Sequence, residues 1–210
     1  MYLRELFPNI YSCGHPSEKT WGAHSYFVHT QDGNVMVDSP QYEEGLIEAL
    51  EAAGGVGWIF ISHHDDIGDA CQFQNRFGSK IAIHAAEASA VGCPVDSPFV
   101  NITELSPQLI AIPTPGHSPG SSCLLFTQAP GFLFTGDHLM GTRQDAVLPA
   151  KFSWTHDWTQ QLKSARGLLD HPFDVVLPAH HNLEIGYVVG AKDALRQWLE
   201  KKAKEVAPRT

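Results

Sequence analysis

The sequence predicts one mixed domain of strands and helices, α+β in class, running from residue 1 to 210. Three observations carry that prediction. Apolar runs of strand length alternate with segments of helical period along the whole chain. No low-complexity stretch or linker divides it, and 210 residues can bury one good core. The two halves also share an order: an apolar strand ending in Asp, a helix, a second apolar strand, then a His-His pair.

Taken in turn, Ser25 to Val28 and Asn34 to Val37 read as strands joined at Gln31-Asp32-Gly33. Glu43 to Ala53 reads as a helix with Leu46, Ile47 and Leu50 on one face, stopped by Gly54-Gly55. Trp58 to Ile61 is a short buried strand. Asp66 to Phe77 reads as a second helix with Gly78 as its stop, and Ile81 to Ile83 as the next strand. Beyond a Pro-rich loop, Leu109 to Ile112 is a strand. Cys123 to Phe126 and Phe132 to Phe134 form a hairpin around Ala129-Pro130-Gly131. A helix is expected over Asp157 to Leu169, with Trp158, Leu162, Ala165 and Leu169 inward. Asp174 to Pro178 is a strand, and Tyr187 to Lys204 a final helix whose tail frays.

Composition narrows the functions. With 14 Lys+Arg against 23 Asp+Glu the net charge is -9, and an acidic chain repels phosphate backbones. No nucleic-acid partner is expected. No apolar run approaches the ~20 residues of a membrane span, and the N-terminus lacks a signal-peptide pattern. A cytoplasmic protein is therefore expected, with a small-molecule substrate and, as a default, a homodimer. Cys13, Cys71, Cys93 and Cys123 form no Cys-x-x-Cys pair and read as free, partly buried thiols. The 12 histidines are nearly as numerous as Lys and Arg together, and several stand at the ends of apolar runs.

Four segments concentrate the chemistry: Ser62-His63-His64-Asp65-Asp66-Ile67-Gly68-Asp69, Thr114-Pro115-Gly116-His117-Ser118-Pro119-Gly120-Ser121, Phe134-Thr135-Gly136-Asp137-His138, and Leu177-Pro178-Ala179-His180-His181. Imidazoles and carboxylates on loops after buried strands suit Zn(II), Fe(II) or Mn(II), without thiolates. A divalent ion of this kind lowers the pKa of bound water from about 15.7 to roughly 7, so that it attacks a carbonyl or phosphoryl group.

In their order, these segments resemble the metallo-β-lactamase-fold hydrolases. The resemblance runs from about Tyr26 to His181. Pro115-Gly116-His117-Ser118-Pro119-Gly120-Ser121 is its most specific match and puts His117 on a metal-binding His. Thr135-Gly136-Asp137 matches the segment whose Asp bridges two metals. Pro178-Ala179-His180 matches Pro-Gly-His, with Ala for Gly, and Val37-Asp38-Ser39 matches an early segment whose Asp supports the site from behind. The resemblance implies a four-layer αββα sandwich and one or two divalent ions per chain.

The first motif departs from the family's Thr-His-x-His-x-Asp-His. Without a gap, His63 and Asp65 take the two His positions, and Ile67 and Gly68 fall where an Asp and a His belong. With a two-residue deletion, Asp65 and Asp66 take the Asp-His positions. Both alignments stay open at the level of sequence. The expected metal ligands are therefore His63, Asp65, Asp66, His117, Asp137 and His180, with Asp65 and Asp66 also as catalytic candidates. Asp38, His64 and His181 are expected behind them. A site rich in Asp leans toward Mn(II) or Fe(II) over Zn(II).

The resulting reading is a metal-dependent hydrolase using a metal-activated water on a small ester, thioester, lactone or phosphorylated substrate. The alternative is a catalytically degenerate metal-binding or regulatory member of the same fold. Gly116-His117-Ser118-Pro119-Gly120 also fits a serine-esterase elbow, but Pro113, Pro115 and Pro119 interrupt the strand-turn-helix it needs. Redox chemistry at two irons would need an electron donor for which the chain carries no binding signal. His15, His24, His29, His84, His156 and His171 lie outside the matched segments and read as surface or hydrogen-bonded residues. Trp154 and Trp158 are candidates to wall a substrate pocket, with core packing favoured for Trp158.

Overall fold

The computed structural model describes residues 1–143, 146–183 and 185–206. Two large sheets lie face to face. The first takes its strands in chain order: β1 (Leu3–Phe7), β2 (Ile10–Cys13), β3 (Ser25–Val28), β4 (Val35–Val37), β5 (Trp58–Phe60), β6 (Lys80–His84) and β7 (Ser97–Phe99). The second is built from β8 (Thr103–Ser106), β9 (Leu109–Pro113), β10 (Ser122–Phe126) and β11 (Phe132–Phe134), a small separate hairpin β12 (Met140–Arg143) and β13 (Ala146–Leu148) intervening before β14 (Val175–Leu177) and β15 (Val188–Val189). Its order is β15-β14-β11-β10-β9-β8. Helices α1 (Glu44–Ala52) and α2 (Ala70–Phe77) cover the first sheet, and α3 (Trp158–Leu168) and α4 (Ala191–Val206) the second. This is the αββα sandwich.

The layers follow from period-2 alternation in strands buried on both faces. Tyr26, Val28, Val35, Val37 and Phe60 point between the sheets, where they meet Leu124, Phe126, Phe132, Phe134, Val175 and Leu177. The intervening Phe27, Met36, Ile59 and Ile61 pack outward on Leu46, Ile47, Leu50 and Phe73 of the first helix pair. Leu125, Leu133 and Val176 do the same for the second pair, against Ala165, Leu168, Leu195 and Leu199. A strand with no solvent face reads as an unbroken apolar run, which is why these segments stood out.

The two halves are built alike where it matters. β4 and β5 pair in parallel, as do β11 and β14. Parallel neighbours end on the same edge of a sheet. Asp38 and the His63 loop therefore emerge together, as do Asp137 and the His180 loop.

Several boundaries differ from expectation. The segment 64–69 is a 3₁₀ turn (His64–Asp66) followed by a second turn at Gly68-Asp69, so α2 starts at Ala70 instead of Asp66. α3 is capped by Asp157, whose side chain accepts from the Gln160 amide, and it buries Gln161 with Ala165 and Leu168. Trp158 is only half-buried and belongs to no core cluster. The final helix starts at Ala191, because Val188 and Val189 pair with β14. The expected fraying falls on 207–210, outside the described residues. Strands β1, β2, β7, β8, β12 and β13 carry no apolar alternation regular enough to read.

The cysteine expectation is corrected in part. Cys71 on α2 and Cys93 in the loop between β6 and β7 are joined by a disulfide, their Cα atoms 5.7 Å apart. Cys13 and Cys123 are free and buried, which pushes both thiols up to about 12. A separation of 22 residues is too long to read as a local motif. No helix among the described residues is long and apolar enough to cross a membrane.

Closing that loop predicts a measurable effect. Cys93→Ser should lower unfolding stability by about 3 kcal/mol in urea under oxidising conditions, from lost loop-closure entropy. Dithiothreitol should bring the wild type down to the mutant. Equal stability of the two proteins without reductant would contradict the bond.

Candidate metal site

The four sequence segments meet at one edge of the sandwich, and hydrogen bonds fix several of their side chains. Asp38 follows β4 with a positive φ of 56°, and its Oδ1 accepts the Ser62 amide at 2.7 Å. Its own amide bonds the Phe60 carbonyl at 2.8 Å. These bonds fix the turn that presents His63. The Ser62 carbonyl in turn accepts from Ser122 at the start of β10, stitching the edges of the two sheets together.

His63 has no exposed surface. On one side its Nδ1 lies 3.0 Å from Ser62 Oγ and 3.4 Å from Asp66 Oδ2. On the other, its Nε2 lies 3.8 Å from Asp65 Oδ2 and 3.8 Å from Asp137 Oδ2. His117 brings its Nε2 to 3.7 Å from the same Asp137 oxygen. His63, Asp65 and His117 each offer a donor atom within 4.8 Å of the others.

Two glycines make this convergence possible. Gly116, at φ 142°, carries the N-terminal turn of α3 so closely that a Cβ would stand 2.3 Å from the Gln161 Cα. The amides of His156 and Asp157 bond the carbonyls of His117 and Gly116. Gly136, at φ 49°, lies against Ser62, and a Cβ would meet its Oγ at 2.3 Å. The matched Gly-His and Gly-Asp sequences thus have a packing reason as well as a chemical one.

Burial sorts the charges. It pulls His63 down to about 4, against the raising pull of Asp137, and it lowers His117 as well. Burial thus favours the neutral form of both rings, the form that donates a lone pair. Burial also raises Asp38 to about 7 and Asp66 well above the carboxylate range, Asp66 further because Asp38, Asp137 and Asp65 surround it. Asp137 is buried too, but the hydrogen bond from His180 and the nearby imidazoles outweigh that and hold it below its ordinary value.

The predicted residues therefore separate. Asp65 joins His63 and His117 and faces the cleft, as the ungapped alignment requires. Asp66 is fully buried behind the His63 ring, on the Nδ1 side, and bonds Ser62 Oγ. It is placed to orient His63 and does not reach the cleft, contrary to its expected ligand and catalytic roles. Ile67 and Gly68 stand where further donors would be needed. His180 is not in the cluster: its Nδ1 bonds Asp137 Oδ1 at 2.6 Å and its Nε2 the Trp21 carbonyl at 3.3 Å. That engagement raises its pKa despite burial. His181 also departs from expectation. It stacks on His24 at 4.1 Å and lines a separate small pocket with Arg4. His64 backs Asp65, its Nε2 3.5 Å from Asp65 Oδ1.

Sequence reasoning missed Glu87. This buried carboxylate accepts the His64 amide at 2.8 Å, Ser118 Oγ at 2.7 Å and the Gly120 amide at 2.6 Å, and pairs with His64 Nδ1. It ties the first motif to the second. It stands in Ala86-Glu87-Ala88-Ser89, which has no pattern to betray it. Trp21 and Phe152 drew no reading and His156 was expected only as a surface or hydrogen-bonded residue, yet all three line the cleft of about 780 Å³ above the cluster.

The donor set fits a divalent cation. His63 Nε2 is buried without a hydrogen-bond partner among the described residues. An imidazole nitrogen left so is costly unless something binds it. Two neutral nitrogens with Asp65 and Asp137 suit Zn(II), Fe(II) or Mn(II).

Comparison with known proteins agrees with this architecture. A B3 metallo-β-lactamase with an active-site glutamic acid superposes with a TM-score of 0.70, covering 100% of this chain and 90% of its own, at 16% identity. BJP-1, a subclass B3 metallo-β-lactamase of Bradyrhizobium japonicum, gives 0.66 over 98% and 93% at 15% identity. The chain has the metallo-β-lactamase fold. In sequence, it is similar to a hydroxyacylglutathione hydrolase of Acidiphilium cryptum (strain JF-5), 32% identical over 113 residues. That match spans 50% of this chain and 45% of the relative, so under half of the relative's length is represented. No family model matches.

Glu87→Ala leaves several buried donors unpaired and should cost about 3 kcal/mol in urea unfolding at neutral pH. Its bonds to Ser118, Gly120 and His64 outweigh burial and hold Glu87 below its ordinary 4.5. The stabilisation is thus complete above that value and fades as pH falls below it. The gap between wild type and variant should narrow in acid. A gap under about 1 kcal/mol at neutral pH would contradict the role.

Proposed function

We propose that the protein is a metal-dependent hydrolase whose single divalent ion is held by His63, Asp65, His117 and Asp137, and that it acts on a small ester, thioester, lactone or phosphorylated compound. What supports the reading most is the unpartnered, buried His63 Nε2 aimed at Asp65 and Asp137, in a fold shared with metallo-β-lactamases. The thioester in the set is favoured by the similarity to a hydroxyacylglutathione hydrolase.

The ion, when bound, would supply a water activated near neutral pH and an electrophile for the substrate oxygen. The chain's own groups do the rest. Asp66 and Ser62 hold the His63 ring by its Nδ1 edge, so that Nε2 is presented. Asp137 stays ionised because His180 donates to its far oxygen. His180 is assigned to that orienting role. Asp65, 39% exposed at its side chain, is the ionisable group placed to accept a proton at the cleft floor. His64, held by Glu87, sets its orientation.

One ion is favoured over two because Ile67 and Gly68 offer no side-chain donor and both His180 nitrogens are engaged. Zn(II), Fe(II) and Mn(II) all remain compatible with the donors. The Cys71–Cys93 bond favours surroundings that keep thiols oxidised, which weighs against the cytoplasmic expectation.

Metal analysis of the purified protein tests this reading. Wild type should carry about one equivalent of a transition metal and His117→Ala well under half, since structural metal sites lose affinity with each ligand. Asp65→Asn should cut kcat by at least about a hundredfold on a turned-over ester, more than metal loss accounts for. A metal-bearing protein silent on esters, thioesters, lactones and phosphodiesters would favour a binding or regulatory module instead.

A further inference from the structure

Above the metal-binding donors stands the cleft, with its aromatic rim of Trp21, Phe152 and Trp154. The other edge of the His117 ring faces a closed, polar interior. His117 Nδ1, both ring nitrogens of His138 and Gln161 Oε1 are all buried, and none has a hydrogen-bond partner among the described residues. Packing brings these side chains together. His138 directly follows Asp137, whose Oδ2 lies 3.7 Å from His117 Nε2. Gln161 Nε2 donates to the His138 carbonyl at 2.9 Å. The Gln161 backbone presses on Gly116, the residue before His117.

The chemistry of these atoms is complementary. A ring that binds a metal through Nε2 carries its proton on Nδ1. That N–H is a buried donor, and metal-binding imidazoles ordinarily give it to a carbonyl, a carboxylate or a water. Ser62 and Asp66 stand behind His63 in this way. Nothing comparable bonds His117 Nδ1 among the described residues. Gln161 has the missing acceptor. Its nitrogen is committed to a carbonyl, which only a donor can meet, so the free end of the amide is the oxygen. That oxygen accepts at any pH. No direct bond joins it to His117, and a polar pocket with several such atoms is where a buried water is retained.

We infer that Gln161 and His138 are positioning residues for His117, which together take up its Nδ1 proton through one buried water and so keep Nε2 bare and turned toward the ion. This deepens the metal site proposed above and rests on that reading. It also gives α3 a part in the site: the helix that Gly116 admits delivers the acceptor.

Ring spectra and metal affinity test this together. In 15N-labelled protein, long-range proton–nitrogen correlations should show the His117 proton on Nδ1, with and without zinc, the ring being assigned by its loss in His117→Ala. Gln161→Met and His138→Leu should each weaken zinc binding about ten- to a hundredfold in competition with a chromophoric chelator, and the Nδ1 proton should exchange faster with solvent. His138→Gln, which keeps an acceptor, should recover most of the affinity. A merely structural role would lower the unfolding midpoint of the metal-free protein and move neither readout. If Gln161→Met does not fold, His138→Leu against His138→Gln carries the comparison. Zinc affinity within about twofold of wild type in the folded acceptor-less variants overturns the inference and leaves the metal site standing. So does a wild-type His117 protonated on Nε2. If the wild type takes up no zinc, the metal-site reading fails, and the spectra of the metal-free proteins decide this one. A proton on Nδ1 in wild type that shifts to Nε2 in the variants supports it, and a proton on Nε2 throughout contradicts it.

Discussion

The architecture of this site depends on one buried imidazole held from both edges. His63 has no contact with solvent, and its two nitrogens face opposite ways. Ser62 and Asp66 grip Nδ1; Asp65 and Asp137 stand before Nε2. Burial keeps the ring neutral, since charging it there would cost desolvation. A neutral, oriented and otherwise unpartnered nitrogen has little alternative to binding a cation. The surrounding structure can be understood as what is needed to hold that ring still. Asp38 pins the Ser62 amide, Gly136 admits the loop that brings Asp137, and Gly116 lets α3 close over the His117 turn.

Four carboxylates lie in or behind this cluster, and environment gives them different charges. Burial drives Asp38 and Asp66 toward the neutral form, with the charge of Asp137 adding to both and that of Asp38 adding to Asp66. Asp137 is kept ionised by His180 and the facing imidazoles. Asp65 has the cleft's solvent beside it. Four full negative charges at this spacing would repel strongly in a low dielectric, so the division lowers the cost of assembling the site before any ion arrives. It also separates the two carboxylates suited to face a metal from the two suited to structural hydrogen bonds.

Much of the sandwich was legible because its strands are buried on both faces and its ligand-bearing loops follow those strands directly. The parallel pairs β4·β5 and β11·β14 were visible as a repeated order of Asp, helix and His pair. The choice between Asp65 and Asp66 was not legible. They are adjacent, and only the 3₁₀ turn at His64–Asp66 decides which faces the cleft and which lies behind His63. His180 was legible as a member of the site but not in the direction of its ring, which the Trp21 carbonyl helps to set from 159 residues away. Glu87, the Cys71–Cys93 bond and the aromatic rim come from long-range packing of segments that carry no local pattern. The β1–β2 hairpin shows the same limit: its apolar residues, among them Leu6, Phe7 and Ile10, pack on the core without a regular alternation.

Where the ion sits is tested most directly by anomalous diffraction from crystals of the protein grown with Zn(II) or Mn(II). The account predicts one strong peak, at about 2.0–2.3 Å from the nitrogens of His63 and His117 and from an oxygen of Asp65 or Asp137. A peak bound instead by Asp66 or by the His24–His181 pair, or no peak at the His63 edge, would contradict it.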